Sequence, residues 1–135
     1  MQVDRNGLEV LDRDECLRLL ATAEIGRVIV TMGALPAAFP VNFALWGADV
    51  VFRTSTGSKL VAATNKAIVA FEADEIDRAT KSGWSVLVTG PATALHRGAD
   101  VAIVDRLSLQ PWLPGHRGHV VRIQSELVSG RRLGP

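Results

Sequence analysis

The chain has 135 residues, and its fifteen Lys and Arg against fourteen Asp and Glu give a formal net charge of +1. This length fits one domain over residues 1–135, and 47% hydrophobic with 21% charged residues is typical of a folded globular protein rather than a disordered one. The absence of a basic surplus, with only three Trp, four Phe and no Tyr, argues against a nucleic-acid-binding surface.

The first half of the chain predicts one helix followed by three strands. Asp12 with Glu15 three residues later is a capping-box pattern, and it predicts a helix over residues 12–23 that Gly26 closes. Strands are predicted at residues 27–32, 39–46 and 50–54, with turns at residues 33–36 and 47–49. Such short connections require antiparallel neighbours, because a parallel pair needs a crossover of a dozen or more residues.

The second half adds two helices and more strands. Helices are predicted at residues 58–65 and from Asp100 onward, and strands at residues 68–72, 84–95, 119–123 and 127–128. The strand at 84–95 is expected to bend at Gly90-Pro91. The acidic residues 72–77 are expected to form a solvated turn, and the chain is expected to end in a basic tail. About six strands and three short helices, with the strands grouped together, predict a mainly β fold: an antiparallel sheet closed into a barrel with helices outside.

Residues 52–60 are the most informative segment for function. Arg53 and Lys59 bring two cations, with hydroxyl side chains between them, to the point where a strand ends and a helix begins. Unsatisfied backbone N–H groups and a forked guanidinium suit an anion such as a phosphate. The segment is not a P-loop, because the order Gly57-Ser58-Lys59 does not match that motif. An ordinary capped turn with solvated charges explains the same residues about equally well.

Six sequence blocks occur in a characteristic order between residues 11 and 133. They are Gly26-Arg27-Val28, Pro40-Val41-Asn42-Phe43, Phe52-Arg53-Thr54 with Gly57-Ser58-Lys59-Leu60, Val69-Ala70-Phe71-Glu72, Gly83-Trp84-Ser85-Val86-Leu87-Val88-Thr89-Gly90, and Gly130-Arg131. In this order and spacing the chain resembles the pyridoxamine 5′-phosphate oxidase-like family of flavin-binding split β-barrels. The resemblance implies a six-stranded antiparallel split barrel with Greek-key connections and short flanking helices, which agrees with the barrel predicted above.

The resemblance also implies a flavin mononucleotide (FMN) oxidoreductase that transfers a hydride or electrons to a small-molecule substrate. It implies a homodimer with two flavins at its interface. By position, Arg53, Thr54, Ser58 and Lys59 would bind the phosphate, Pro40, Val41 and Asn42 would run beneath the isoalloxazine ring, and Trp84 and Ser85 would come from the partner subunit. Trp112 and Arg117 would border the cofactor, and no catalytic side chain is assigned.

Other functions on the same barrel stay open. The true oxidases of the family are longer and carry further substrate-phosphate residues in a C-terminal extension, so pyridoxamine phosphate oxidation is not predicted. Some compact relatives bind a deazaflavin and others haem. A deazaflavin-dependent reductase and a non-catalytic flavin carrier or sensor are therefore the alternatives.

The remaining reactive side chains favour structural roles. Cys16 is the only cysteine, which excludes an internal disulfide and a thiolate-rich metal site, and its helical spacing with leucines indicates packing. His116 and His119 lack a neighbouring carboxylate, so no metal site is expected. The polar start of the chain and the absence of an apolar run of ~18 residues predict no membrane span, and cytoplasm is the expected compartment.

Overall fold

The computed structural model describes residues 1–55, 59–95, 98, 102, 106–107 and 118–134. Helix α1 is Arg13–Leu20 and the described part of helix α2 is Lys59–Thr64, and residues 98, 102 and 106–107 are also helical. The strands are β1 (Gln2–Val3), β2 (Glu9–Leu11), β3 (Ile25–Met32), β4 (Leu35–Trp46), β5 (Asp49–Ser55), β6 (Ile68–Asp77), β7 (Ser82–Ala94), β8 (Gly118–Ile123) and β9 (Leu127–Leu133).

Six of the strands close into an antiparallel barrel, which confirms the predicted fold class. Their order is β7-β6-β3-β4-β5-β8, and β8 pairs again with β7. The strands β9, β2 and β1 continue the sheet beyond β7. All of these pairings are antiparallel, and β3 and β4 form a hairpin in which Met32 lies opposite Leu35.

The bend in β7 allows one strand to serve both the barrel and the sheet extension. Its first part pairs with β9, from Gly83 to Thr89, and its last three residues pair with β8. Gly90 is buried at the change of partner, and a Cβ there would collide with the carbonyl oxygen of Gln124. The change of partner lies at Gly90-Pro91, where a bend was predicted, and two backbones approach each other closely there.

The barrel core comes from alternation along the strands. Alternate residues of β3, β6 and β7 are buried, as are Val41 and Phe43 of β4, and Phe43 meets Phe71 at 4.7 Å between ring centroids in an edge-to-face arrangement. Helix α1 adds Cys16, Leu19 and Leu20 to the same cluster. The helix begins as predicted, because the Asp12 carboxylate accepts a hydrogen bond from the backbone N–H of Glu15 at 2.8 Å.

The structure corrects the predicted end of the first helix. Helix α1 stops at Leu20 with Ala21 as its C-cap, and Gly26 lies inside β3 rather than closing the helix. A Cβ at Gly26 would collide with the ring of Phe71, so a glycine is required there by core packing and not by a turn. The predicted capping box is half present, because the Glu15 carboxylate pairs with Arg18 and Arg132.

Three further predictions about the strands were wrong. The acidic segment after Glu72 is not a turn, because β6 continues to Asp77 and pairs with β7 throughout. The basic tail is the strand β9, since residues 127–133 pair with β7. The N-terminal strands β1 and β2 were not predicted, and they form because Glu9, Val10 and Leu11 find partners on β9.

None of the helices in the described part of the chain is long and apolar enough to cross a membrane.

Candidate cofactor site and a charged sheet face

Arg53 stands on the outer face of β5. Its neighbour Phe52 is buried in the barrel core, whereas Val51, on the same face as Arg53, packs in a separate cluster with Val120. Arg53 lies opposite Val120 on β8. Its Nε is buried and has no hydrogen-bond partner among the described residues. A buried, charged N–H without a partner is unfavourable by roughly 1–3 kcal/mol or more, so this position is suited to an anion that accepts its hydrogen bond.

The predicted ring-binding segment lies on the strand next to Arg53. Phe43 pairs with Phe52, so the next residue pair along the two strands is Asn42 and Arg53 on the outer face. Pro40 is exposed, while the Val41 side chain is buried in the core and offers a ligand only its backbone. The structure therefore places this segment and Arg53 on neighbouring strands.

The rest of the predicted phosphate segment is described in part. Thr54 follows Arg53 and lies opposite His119, and it is half-buried. Lys59 is the first residue of α2, and Ser58 lies outside the described residues. The described part of helix α2 is Lys59–Thr64, within the predicted range 58–65.

Trp84 and Ser85 do not lie beside Arg53 within one chain. Both are on β7, in the part that pairs with β6 and β9, whereas β5 pairs with β4 and β8. Trp84 packs partly against the core of its own chain, and Ser85 lies opposite Asp74.

A charged cluster lies next to the ring-binding segment, and the sequence prediction missed it. Arg27 on β3 is opposite Pro40 on one side and Glu72 on the other. Its Nη1 donates to Glu72 Oε1 at 3.5 Å and to Asp74 Oδ2 at 3.4 Å. The pKa of Glu72 is raised to about 7, mainly by burial and also by a hydrogen bond and charge repulsion from Asp74, while Arg27 acts in the opposite direction. In the sequence, only Glu72-Ala73-Asp74 alternates between polar and apolar residues, which places the two carboxylates on one face of a strand but does not indicate Arg27 as their partner.

An open cleft of about 420 Å³ adjoins this cluster. Its lining residues are Thr22, Ala23, Glu24, Ile25, Arg27, Asp74 and Glu75. One guanidinium faces three carboxylates, so the cleft has an acidic character. Ile25 lies opposite Asn42, which places the cleft beside the ring-binding segment.

Replacing Asp74 by asparagine should lower the pKa of Glu72. The carboxylate of Asp74 raises that pKa through its charge and its hydrogen bond, but burial also raises it and remains in the variant. We therefore expect a Glu72 midpoint between 4.5 and about 7 in Asp74→Asn. Carbon-13 NMR titration of the Glu72 side-chain carboxyl measures it directly. An unchanged midpoint would show that the two carboxyls do not interact, and Asp77→Asn in the same strand is the matched control.

The other candidate residues from the sequence lie outside the described residues or are buried in the core. Trp112, Arg117, His116 and most of the helix predicted from Asp100 lie outside the described residues. Cys16 is buried, and burial raises the pKa of its thiol, which agrees with a packing role. Within the described ranges, no group of three or more His, Cys, Asp or Glu side chains is arranged to hold a metal ion.

Comparison with known proteins identifies the family. The sequence model of the pyridoxamine 5′-phosphate oxidase family matches residues 12–132. The chain belongs to this family. An uncharacterised protein of Mycobacterium tuberculosis is 42% identical over 128 residues, which cover 91% of this chain and 84% of that protein.

Solved structures of other proteins are similar to this chain in fold. The FAD binding protein from Mycobacterium smegmatis superimposes with a TM-score of 0.80 at 36% identity, over 93% of this chain and 98% of the other. A FAD-binding protein from Mesorhizobium loti has a TM-score of 0.73 at 22% identity, over 94% of this chain and 99% of the other, and this likeness concerns the fold alone.

Proposed function

We propose that this member of the pyridoxamine 5′-phosphate oxidase family binds a flavin nucleotide whose phosphate lies against Arg53. The supporting observation is the buried Arg53 Nε, which has no hydrogen-bond partner among the described residues. A phosphate oxygen is an acceptor of the right charge for it. The similarity to a FAD binding protein at 36% identity supports a flavin in particular.

Each residue of the proposed site has a role that fits its position. The Arg53 guanidinium donates to the phosphate, and Lys59 supplies a second positive charge. Asn42 offers its side-chain amide, and Pro40 and Val41 offer backbone groups to the ring. When bound, the flavin supplies hydride or electron transfer, while this chain holds and orients the ring and its phosphate.

We further propose that two copies of the chain complete the site. Trp84 and Ser85 do not pair with either strand that carries the Arg53 segment or its partner β8, and the second copy would bring them to the cofactor. The resulting protein would be an FMN-dependent oxidoreductase of a small-molecule substrate.

Titration of the purified protein with FMN, FAD and a deazaflavin tests the proposal. FMN and FAD both carry a phosphate on the ribityl chain, so the Arg53 site accommodates that part of either molecule. We expect saturable quenching of flavin fluorescence with FMN, and reduction of the bound flavin by a nicotinamide cofactor. Binding of the deazaflavin alone would transfer the proposal to a deazaflavin-dependent reductase. No change with any of the three would contradict cofactor binding.

A further inference from the structure

Three side chains form a layered cluster on the outer face of the barrel, where β4, β5 and β8 lie side by side. The Cζ atom of Arg122 on β8 lies 3.9 Å from the centroid of the Trp46 ring on β4. Asp49 on β5 holds the same guanidinium, because its Oδ2 accepts a hydrogen bond from Nε at 2.8 Å and lies 2.7 Å from Nη2. We call Trp46, Asp49 and Arg122 the outer stack. A guanidinium held at its edge by a carboxylate and on one face by an indole ring is fixed in orientation.

The outer stack lies on the same face as Arg53. Arg53 is opposite Val120 and Val51 is opposite Arg122, so the two arginines are diagonal neighbours on β5 and β8. Diagonal neighbours on one face of a sheet are roughly 7–8 Å apart. Val51 and Val120 form a buried cluster on this face, and Trp46 packs against it. The outer stack is therefore a direct continuation of the proposed phosphate position.

The outer stack leaves one flat surface open to a ligand. Trp46 covers one face of the guanidinium, and 35% of the Arg122 side chain stays exposed. A ligand therefore approaches the guanidinium from the face opposite Trp46. Nucleobases stack on guanidinium planes as well as on aromatic rings. The geometry thus suits a flat, uncharged heterocycle.

Charge separates the ligand group that suits the outer stack from the one that suits Arg53. The Asp49 carboxylate neutralises Arg122, and its Oδ1 accepts a further hydrogen bond from the backbone N–H of Ser125 at 3.2 Å. A phosphate at the outer stack would be repelled by this carboxylate, whereas an uncharged base would not. The buried Nε of Arg53, in contrast, has no partner in the part of the chain that the structure describes. A phosphate is therefore expected at Arg53 and a neutral ring at the outer stack.

We propose that the outer stack is an adenine-binding surface, and that this chain binds FAD in preference to FMN. This inference rests on the proposed function, because it takes the phosphate next to the flavin to lie at Arg53. The flavin half of the molecule is held as proposed above, and the adenine lies on the free face of the Arg122 guanidinium.

The spacing of the two positions fits a dinucleotide and not a mononucleotide. Asp49 and Arg53 are both on β5, and the four residue steps between them correspond to roughly 13 Å along the strand. In FAD, a second phosphate and a ribose connect the phosphate next to the flavin to the adenine, and they span a comparable length. FMN ends at its phosphate and has no group that reaches the outer stack.

Isothermal titration calorimetry with FMN and with FAD tests this inference. Stacking of one base contributes roughly 5- to 150-fold in affinity, so FAD should bind the unmodified protein more tightly than FMN by a factor in this range. Arg122→Lys keeps the positive charge beside Asp49 but removes the flat surface, so the preference for FAD should largely disappear while FMN affinity stays the same. Trp46→Leu removes the ring that holds the guanidinium and should act in the same direction. Arg18→Lys, the same change in an exposed ion pair of α1, is the matched control.

The outcomes separate this inference from the proposed function. Equal affinity of the unmodified protein for FMN and FAD would overturn the inference and leave the proposed function intact. A preference for FAD that persists in both Arg122→Lys and Trp46→Leu would also overturn it, as would an equal loss of FMN and FAD affinity in both variants. Absence of binding by either flavin would contradict the proposed function, and the inference with it.

Discussion

The Gly90→Ala variant is expected to lose about 3 kcal/mol or more of its free energy of unfolding. A methyl group at Gly90 would collide with the backbone carbonyl of Gln124, and it would also lie 3.3 Å from the backbone nitrogen of Glu126. Overpacking of a core usually destabilises by ~1–3 kcal/mol, and side chains relieve part of it by moving. Here the methyl group would collide with the backbone of the segment that joins β8 to β9. The collision can therefore be relieved only if the strands that close the barrel shift. Urea denaturation followed by tryptophan fluorescence measures the loss.

Gly98→Ala is the control for this variant. Nothing lies within 4 Å of the position a Cβ would take at Gly98, so the same chemical change there should leave the unfolding free energy within ~0.5 kcal/mol. If Gly90→Ala were as stable as the Gly98 control, the close approach of the two backbones at the bend of β7 would be disproved.

The double variant Arg53→Ala/Lys59→Ala is expected to weaken flavin binding by about 3–6 kcal/mol, or roughly 10²- to 10⁴-fold in the dissociation constant. Each charge-assisted hydrogen bond contributes about 1.5–3 kcal/mol, and the variant removes two cations from the proposed phosphate site. Fluorescence titration with FMN and FAD measures the change. The protein should remain folded, because the buried Nε of Arg53 has no partner among the described residues to lose.

The control for the phosphate site must remove the same amount of charge elsewhere. Arg5→Ala/Arg78→Ala removes two exposed arginines from turns and should bind flavin like the unmodified protein. Equal affinity of the Arg53/Lys59 variant and this control would place the phosphate at another position.

The sequence was sufficient where the structure depends on local patterns. Asp12 and Glu15 mark the start of α1, the β-branched residues of β3 and β5 predict strands, and Gly90-Pro91 marks a bend. The short turns between these strands require that neighbouring strands are antiparallel, and an antiparallel barrel was predicted from this pairing and from the grouping of the strands. The missed features depend on distant partners: β2 and β9 are short or polar and become strands because they pair across more than 100 residues.

The candidate site is likewise divided into residues that local sequence patterns predict and residues that they do not. Arg53 and the segment Pro40-Val41-Asn42 were found because each block resembles the family pattern by itself. The cluster of Arg27, Glu72 and Asp74 was missed because its members become neighbours only through the register of β3 with β6. A cross-strand ion pair 45 residues apart leaves no spacing signal in a single sequence.

The double pairing of β7 leaves its junction with β8 short. In the described residues, β8 pairs with β7 from Ala92 to Ala94, which is as few residue pairs as join β3 to β6, whereas β6 and β9 pair along most of the remaining length of β7. Separation of β8 from β7 is therefore expected to be one of the less costly ways to open the barrel, and it leaves the rest of the sheet intact. Val120 of β8 lies opposite Arg53, so movement of this strand also exposes the buried Nε of Arg53 to solvent. Entry of an anion to that nitrogen and opening of the barrel are thus expected to be one motion.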